Sequence, residues 1–223
     1  MELYDSIFSR RETHRFKSKT IPYKKLFAIL EAGYAAHAIG NVPSTKIIIV
    51  ETESLRNKLS AISGHNWLSS APILLVVCSD NGNLKKLYSD KNVIKYGIQN
   101  SSVVAQNILL AAREYNLQSA WVSDFNEKQI ASVLYIPDKI QIHNILAIGY
   151  SDQHFEKKVQ TFAYERTFYE EWKTKKRADK TFPLIKKKHM DFVKKINFKI
   201  DKKLNDSYDK LVGKIGKTIK HFK

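Results

Sequence analysis

Residues 1–172 of the sequence predict a layered α/β or α+β sandwich, and two observations support this fold class. Short aliphatic and β-branched runs alternate along the chain with longer segments of helical periodicity. The composition is that of a globular protein, because 43% of the 223 residues are hydrophobic and the chain holds 11 Tyr and 11 Phe. A chain of this length can bury one large core and carry an appendage.

The elements follow one another in a regular order. A short helical pattern spans 3–8, and the helix predicted at 22–38 begins at Pro22, whose ring presets the backbone for a first helical turn. β-branched runs such as "KIIIVE" predict strands. The other helices are predicted at 51–62, 96–117 and 126–136, and the strands at 46–51, 72–79, 119–123 and 140–151.

Cysteine usage and hydropathy bear on the compartment. Cys78 is the single cysteine and lies in the apolar run "PILLVVCSD", so we expect it to be a buried structural residue. One cysteine cannot form an internal disulfide, which fits a reducing compartment. No apolar run reaches the roughly 18 to 20 residues of a membrane span, and the acidic first residues do not resemble a secretory signal. We therefore expect a cytoplasmic protein.

The formal charge of +16 belongs mainly to the last quarter of the chain. Residues 1–172 carry a net charge of +3, whereas residues 173–223 carry +13. The sequence thus predicts two regions, a body at 1–172 and a basic tail at 173–223. The overall charge is therefore poor evidence that the body binds nucleic acid.

The tail has the pattern of a basic amphipathic helix, or of two helices, from about residue 186 onward. Its apolar residues recur every three or four positions, and lysines fill the polar face. Three interpretations remain open: contact of residues 186–223 with an anionic membrane surface, packing on the body or a partner subunit, and, least favoured, binding of nucleic acid. The apolar positions are Val193, Ile196, Ile200, Leu204, Tyr208, Leu211, Ile215, Ile219 and Phe222.

Several common kinds of site are not suggested by the sequence. The eight glycines form neither a dinucleotide-binding G-x-G-x-x-G nor a P-loop, so a bound nucleotide would have to be held by side chains. The seven histidines lack a compact metal-binding spacing, and His143, in a predicted strand, is expected to be a packing residue. No G-x-S-x-G elbow is present, so hydrolysis by a serine nucleophile lacks support.

The stretch "SRRETHRF", residues 9–16, is the most unusual in the body. Arg10, Arg11, Arg15 and His14 surround one carboxylate, that of Glu12. Such a cluster either awaits an anion or is a solvated loop. A carboxylate is unfavourable beside a phosphate, so we expect Glu12 to pair with Arg11 or Arg15 and to orient them.

Five segments in order resemble the FMN-dependent nitroreductase superfamily across about residues 3–172. They are the Arg-Arg cluster, "HAIGN" with "KIIIV", "WLSSAPILLVVCSD", "AQNILLAAREYNLQSAWVSDF" and "LAIGYS". The resemblance implies an α+β fold, a three-layer α-β-α sandwich of the nitroreductase type, with the basic helical tail as an extension. It also implies a homodimer with two FMN sites at the subunit interface.

The resemblance assigns roles to the first part of the body. Arg10 matches the arginine that grips the FMN phosphate, a role that suits its bidentate fork. Arg11 would hold the phosphoribityl chain, and His14 would hydrogen-bond the edge of the flavin ring. Asn41 would contact the polar N3/O4 edge, where an amide can both donate and accept.

Roles in the later part follow in the same way. The backbone N–H groups near Ser123 and Asp124 would face flavin N5. Arg166 matches a second arginine that binds the phosphate. This sequence departs from the family pattern at Glu12 and at 43–45, where Pro-Ser-Thr replaces a Gln-Pro-Trp type segment.

By resemblance, the function is that of an FMN-dependent oxidoreductase without a catalytic side chain. NADH or NADPH would reduce FMN by hydride transfer to N5, and a small electron acceptor such as a nitroaromatic or a quinone would follow in a ping-pong cycle. Two alternatives stay open. One is a flavin enzyme like the 5,6-dimethylbenzimidazole synthases, and the other is a non-catalytic scaffold that binds a membrane or a partner through the tail.

Overall fold

The computed structural model describes residues 3–153 and 166–174. The chain falls into two units, Met1–Phe155 and Glu156–Lys223. The described elements of the first unit are α1 (Leu3–Ser9), α2 (Tyr23–Tyr34), β1 (Thr45–Val50), α3 (Glu53–Ser63), β2 (Ile73–Asp80), α4 (Asp90–Glu114), β3 (Gln118–Val122), α5 (Glu127–Leu134) and β4 (Ile140–Gly149).

The four strands form one antiparallel sheet in the order β1-β2-β4-β3. The two central strands are buried along most of their length, which explains their nearly continuous aliphatic sequences. Between β2 and β4 the pairing shifts from Val77 with Asn144 to Cys78 with Ile142. His143 is therefore the extra residue of a β-bulge.

Helices cover both faces of the sheet, because alternate strand residues point to opposite sides. Leu75 and Val77 belong to a core that includes residues of α2 and α4, such as Ile108. Leu74 and Val76 belong to a second core, shared with residues of α3 and α5. These two cores make three layers, so the predicted α+β sandwich is confirmed.

Helix α2 is shorter than predicted, ending at Tyr34 rather than at residue 38. Ala38 is extended, and both residues that follow Ile39, Gly40 and Asn41, have positive φ angles, of 61° and 56°. A right-handed helix cannot continue through such residues. The chain forms a short 3-10 turn there instead, Ile39–Asn41.

Helix α4 is longer than predicted and begins at Asp90 rather than at residue 96. Its first turns are largely exposed, so they lack the buried pattern that marks the rest of the helix. Further along, α4 packs closely on α2: a Cβ added at Gly33 would lie 2.6 Å from Cγ1 of Ile108. The absence of a side chain at Gly33 permits this close contact.

In the second unit, residues 166–174 form a local turn. The rings of Phe168 and Trp172 lie 4.6 Å apart, and the N–H of Tyr169 donates to the carbonyl of Thr174. The predicted tail helix lies outside the described residues and stays a prediction. Among the helices that the structure describes, none is long and apolar enough to cross a membrane.

Candidate functional site

The arginine segment begins at the C-terminal end of α1. Arg11 Nη1 donates to the carbonyls of Phe8, at 2.8 Å, and Arg10, at 2.9 Å. Carbonyls at a helix end lack partners within the helix, and a basic side chain can supply them. Arg11 therefore fixes the chain where it leaves α1 and holds the backbone of Arg10 in place.

Arg10 differs from Arg11 because part of its guanidinium is left open. Its Nη1 atom is buried and has no hydrogen-bond partner among the residues that the structure describes. A buried donor is normally satisfied, and a charged one is costly to leave unpaired. The exception fits a ligand that carries an oxyanion, such as a phosphate monoester.

Arg56, on α3, shows how a half-buried arginine is satisfied by the protein itself. Its Nη1 donates to the carbonyls of Ser69 and Ala71, and its Nε donates to the carbonyl of Glu51 at 3.0 Å. All of these acceptors are main-chain groups of neighbouring segments. Arg56 thus has a structural role. Nη1 of Arg10 differs, because no comparable carbonyl accepts from it among the described residues.

Glu12 contacts the edge strand β3. Its Oε1 accepts a hydrogen bond from the backbone N–H of Trp121 at 2.9 Å. Glu12 also forms a parallel bridge with Ser119, whose carbonyl accepts from the N–H of Thr13. This contact ties the carboxylate to the sheet edge, and the expected pairing of Glu12 with Arg11 or Arg15 stays a prediction.

His14 stacks on a tryptophan. Its ring lies 4.2 Å from that of Trp67 with an interplanar angle of 17°, and His65 contacts the same indole at 5.8 Å. This stack orients the imidazole without fixing either ring nitrogen. The role of His14 at the flavin edge stays a prediction, and the sequence did not indicate the part played by Trp67.

Ser123 and Asp124 lie directly after β3, and both are exposed. Ser123 Oγ accepts from the indole Nε1–H of Trp121 at 2.6 Å. The backbone N–H of the same tryptophan donates to Glu12. Trp121 therefore connects the arginine segment to the segment that the resemblance places beside N5.

Asn41 lies on a loop that α4 holds in place. Asn100 is only 2% exposed, and its Oδ1 accepts from the N–H of Ile39 at 2.9 Å. Its Nδ2 donates to the carbonyl of Val42 and to Ser44 Oγ, both at 3.1 Å. Asn100 is thus the residue that positions the loop.

The sequence did not indicate this positioning role of Asn100. Its partners are at least 56 positions away along the chain, so no local pattern reveals them. Asn41 itself is exposed, and its left-handed backbone is one that asparagine tolerates better than most residues. Its contact with a flavin stays a prediction.

A compact polar cluster lies beneath the first half of α4. His143 Nε2 is 2.8 Å from Ser79 Oγ, and burial lowers the pKa of His143. A Cβ at Gly97 would lie 2.5 Å from Asn81 Oδ1 and 2.9 Å from Ser79 Oγ. His143 is thus a packed residue, as predicted, rather than an exposed acid or base.

Cys78 is equally unsuited to chemistry. It is buried, and that burial raises the pKa of the thiol to about 12. The thiolate is the nucleophilic form, so Cys78 is the structural residue that the sequence predicted. Within the described ranges, no group of three or more His, Cys, Asp or Glu could hold a metal ion.

Arg113 lies in the last turn of α4 and was not singled out by the sequence. Its Nη2 donates to Ser9 Oγ at 3.2 Å, whereas its Nε is buried without a partner. Burial, and then the nearby charge of Arg11, lower the pKa of Arg113. The ends of α1 and α4 therefore bring cationic groups together.

Arg166 belongs to the second unit, where it is exposed. Its predicted convergence with Arg10 on one phosphate stays a prediction. Of the predicted site residues, the structure thus connects the arginine segment with Ser123 and Asp124. It holds the Asn41 loop separately, on the first half of α4.

The chain resembles known proteins in sequence. The model of the Nitroreductase family matches residues 63–150. A protein of Archaeoglobus fulgidus named "Putative NADH dehydrogenase/NAD(P)H nitroreductase" is 26% identical over 178 residues, which cover 77% of this chain and 99% of that protein. The NADPH-flavin oxidoreductase of Vibrio harveyi is 25% identical over 164 residues, covering 69% and 68% of the two chains.

The fold has similar relatives among solved structures. Nitroreductase A from Vibrio parahaemolyticus superposes with a TM-score of 0.71 and 25% sequence identity. The match covers 77% of this chain and 78% of that one. These findings support the resemblance to the nitroreductase superfamily that the order of the five segments indicated.

Proposed function

We propose, from the premise that this chain belongs to the nitroreductase superfamily, that it is an FMN-dependent NAD(P)H oxidoreductase. The observation that carries the proposal is the buried Nη1 of Arg10, which has no protein partner. Its chemistry fits the phosphate of FMN, and it lies on the segment for which the resemblance implies that role. A relative named for NADPH and flavin supports the same assignment.

The proposal gives each residue of the candidate site a role. Arg10 binds the phosphate, and Arg11 holds the turn after α1 on which Arg10 lies. His14 and Asn41 contact the ring edges. One oxygen of the Glu12 carboxylate accepts the N–H of Trp121, which ties this side chain to the edge of the sheet.

The segment after β3 completes the proposed site, since the N–H groups near Ser123 and Asp124 face N5. When bound, FMN supplies the redox chemistry, accepting hydride from NADH or NADPH and then reducing a nitroaromatic or a quinone in a ping-pong cycle. Cys78 is buried, and the half-buried His143 contacts Ser79, so the proposal gives neither a part in the chemistry. The protein therefore contributes binding, orientation and exclusion of water.

We also propose a homodimer whose two sites lie at the subunit interface. Support comes from large apolar side chains that the helical layer of α1, α2 and α4 leaves exposed. Exposed apolar residues that cluster on one surface commonly mark an interface. Light scattering after gel filtration tests this: a dimer mass is expected, and a monomer contradicts it. The exposed residues include Leu3, Ile7, Phe27, Ile94, Ile98 and Val103.

Colour tests the enzymatic proposal directly. Purified protein supplied with FMN and then desalted should remain yellow. Under anaerobic conditions NADH or NADPH should bleach the visible flavin absorbance, and a quinone should restore it. A protein that stays colourless after reconstitution would contradict the proposal and favour the scaffold alternative.

The cytoplasmic location and the membrane contact of the tail belong to the same proposal. Sedimentation with anionic and with neutral liposomes tests the membrane contact. Cosedimentation that requires anionic lipid and is lost at high salt supports it, since salt screens exposed charges. Equal behaviour with both kinds of liposome contradicts it.

A further inference from the structure

The junction of α1 and α4 is built around two arginines. Arg113, in the last turn of α4, donates from Nη2 to the hydroxyl of Ser9, the residue that precedes Arg10. This hydrogen bond joins helix ends that are 104 positions apart in sequence. The side chain of Arg113 is thereby held next to the arginine segment.

Both arginines keep a buried nitrogen that no group in the described part of the chain satisfies. These atoms are Nη1 of Arg10 and Nε of Arg113. On the adjacent strand, the hydroxyl of Ser119 is also buried without a partner. Arg56 shows that this fold can satisfy a half-buried guanidinium with carbonyls when the role is structural.

Cationic side chains lie close together at this junction. Arg11 is near enough to Arg113 to disfavour its protonated form. One carboxylate of the arginine segment, that of Glu12, has an oxygen engaged by the N–H of Trp121. Burying like charges side by side is unfavourable unless an anion joins them.

We infer that Arg113 is a further binding residue of the anion site and that, together with Arg10, it binds the phosphate monoester of the flavin. The inference rests on the proposed function. A phosphate dianion offers three oxygens, enough to accept from two guanidinium groups and from the hydroxyl of Ser119. Arg113 is then a determinant of FMN over riboflavin, which lacks the phosphate.

Two variants test the role of Arg113. Arg113→Gln removes the charge, and Arg113→Lys keeps it but lacks the Nε–H. Lys95→Gln is the matched control, because Lys95 is an exposed cation on the same helix. Thermal unfolding of each variant establishes that it is folded before any binding is measured.

The readout is the dissociation constant for FMN and for riboflavin, from quenching of flavin fluorescence. We expect Arg113→Gln to weaken FMN binding by about 10- to 100-fold and to leave riboflavin binding unchanged. Arg113→Lys should give a smaller loss that is also confined to FMN. If Arg113→Gln does not fold, the comparison of the two flavins in Arg113→Lys decides.

The possible failures can be told apart. If the wild type binds FMN and the variants lose FMN and riboflavin equally, or lose neither, the role of Arg113 is overturned and the proposed function stands. If the wild type binds neither flavin, the proposed function fails, and the role of Arg113 in flavin binding fails with it. If Arg113→Gln loses no more affinity for FMN than Lys95→Gln does, Arg113 contributes only to the net charge. That result would overturn the inference.

Discussion

The two ends of α4 differ in how their buried polar groups are satisfied. Near its start, Asn100 makes three hydrogen bonds, to Ile39, Val42 and Ser44, and so fixes a loop. At its end, Arg113 makes one hydrogen bond, to Ser9, and keeps a buried nitrogen without a partner. One end of the helix supports the structure, and the other is the end at which we propose that a ligand binds.

The open atoms at the two ends differ in chemistry. Beneath the first half of α4 they are neutral oxygens, Oδ1 of Asn81 and Oδ1 of Asn144. At the far end they include nitrogens of two guanidinium groups, those of Arg10 and Arg113. A water molecule can satisfy a neutral amide oxygen, whereas a buried cation calls for an anion. The open guanidinium nitrogens therefore favour the proposed binding site at the far end of α4, where neutral oxygens of Gln118 and Ser119 are open as well.

Removing the amide of Asn100 should have the largest effect on stability. Asn100→Ala leaves a buried N–H, a carbonyl and a hydroxyl without their partner, which should lower the free energy of unfolding by about 3 kcal/mol. Urea denaturation measures the change. Gln99→Ala, at an exposed position on the same helix, is the control and should be nearly neutral. Equal losses in the two variants would refute the supporting role of Asn100.

At the C-terminal end of α4, the expected loss is in the affinity for FMN. Arg10→Ala should weaken FMN binding by about 2 kcal/mol, roughly 30-fold, because a charge-assisted hydrogen bond to the phosphate is removed. Riboflavin binding should change little. Fluorescence titration with both flavins measures this, and unchanged FMN retention would show that the phosphate lies elsewhere.

A smaller loss is expected where α4 covers the polar cluster. Gly97→Ala places a methyl group against Asn81 and Ser79 and should destabilise the fold by about 1 to 2 kcal/mol through overpacking. Gly82→Ala is the control, because a Cβ there would meet only a side-chain oxygen of Asp80, at 3.3 Å. A denaturation midpoint that Gly97→Ala leaves unchanged would mean that the helix can shift at no cost.

The smallest expected effect is on the pH dependence of the free energy of unfolding, through His143 in the polar cluster beneath the first half of α4. Burial depresses the pKa of His143, so below about pH 6.5 the unfolded chain binds a proton that the folded protein resists. The free energy of unfolding should therefore fall more steeply on acidification in the wild type than in His143→Gln. Denaturation at a series of pH values measures the difference, and parallel curves would argue against a neutral, buried imidazole.

The order of the elements was predictable because buried segments have a local pattern of hydrophobic residues in the sequence. The central strands are aliphatic on both faces, and each predicted strand lies within two residues of an observed one. The limits of α2 and α4 were predicted less well. The positive φ angles at Gly40 and Asn41 end the helical region early, and the exposed first turns of α4 carry no buried pattern.

The candidate site was predictable only in part, for a related reason. The arginine cluster is contiguous, so it stands out in the sequence. Asn100, Trp67 and Arg113 acquire their roles from partners that are 53 to 104 positions away. The contact of Glu12 with Trp121 was not predicted for the same reason, because Trp121 is remote in sequence and uses its backbone N–H.

The contact between Glu12 and Trp121 also bears on how molecules of this protein can associate. β3 is an outer strand of the sheet, and outer strands are ready templates for strands from other chains. Here Glu12 occupies the Trp121 amide and Thr13 occupies the Ser119 carbonyl. The arginine segment therefore blocks intermolecular strand addition at this edge of the sheet. Fibril growth from β3 would first require that segment to dissociate from the strand.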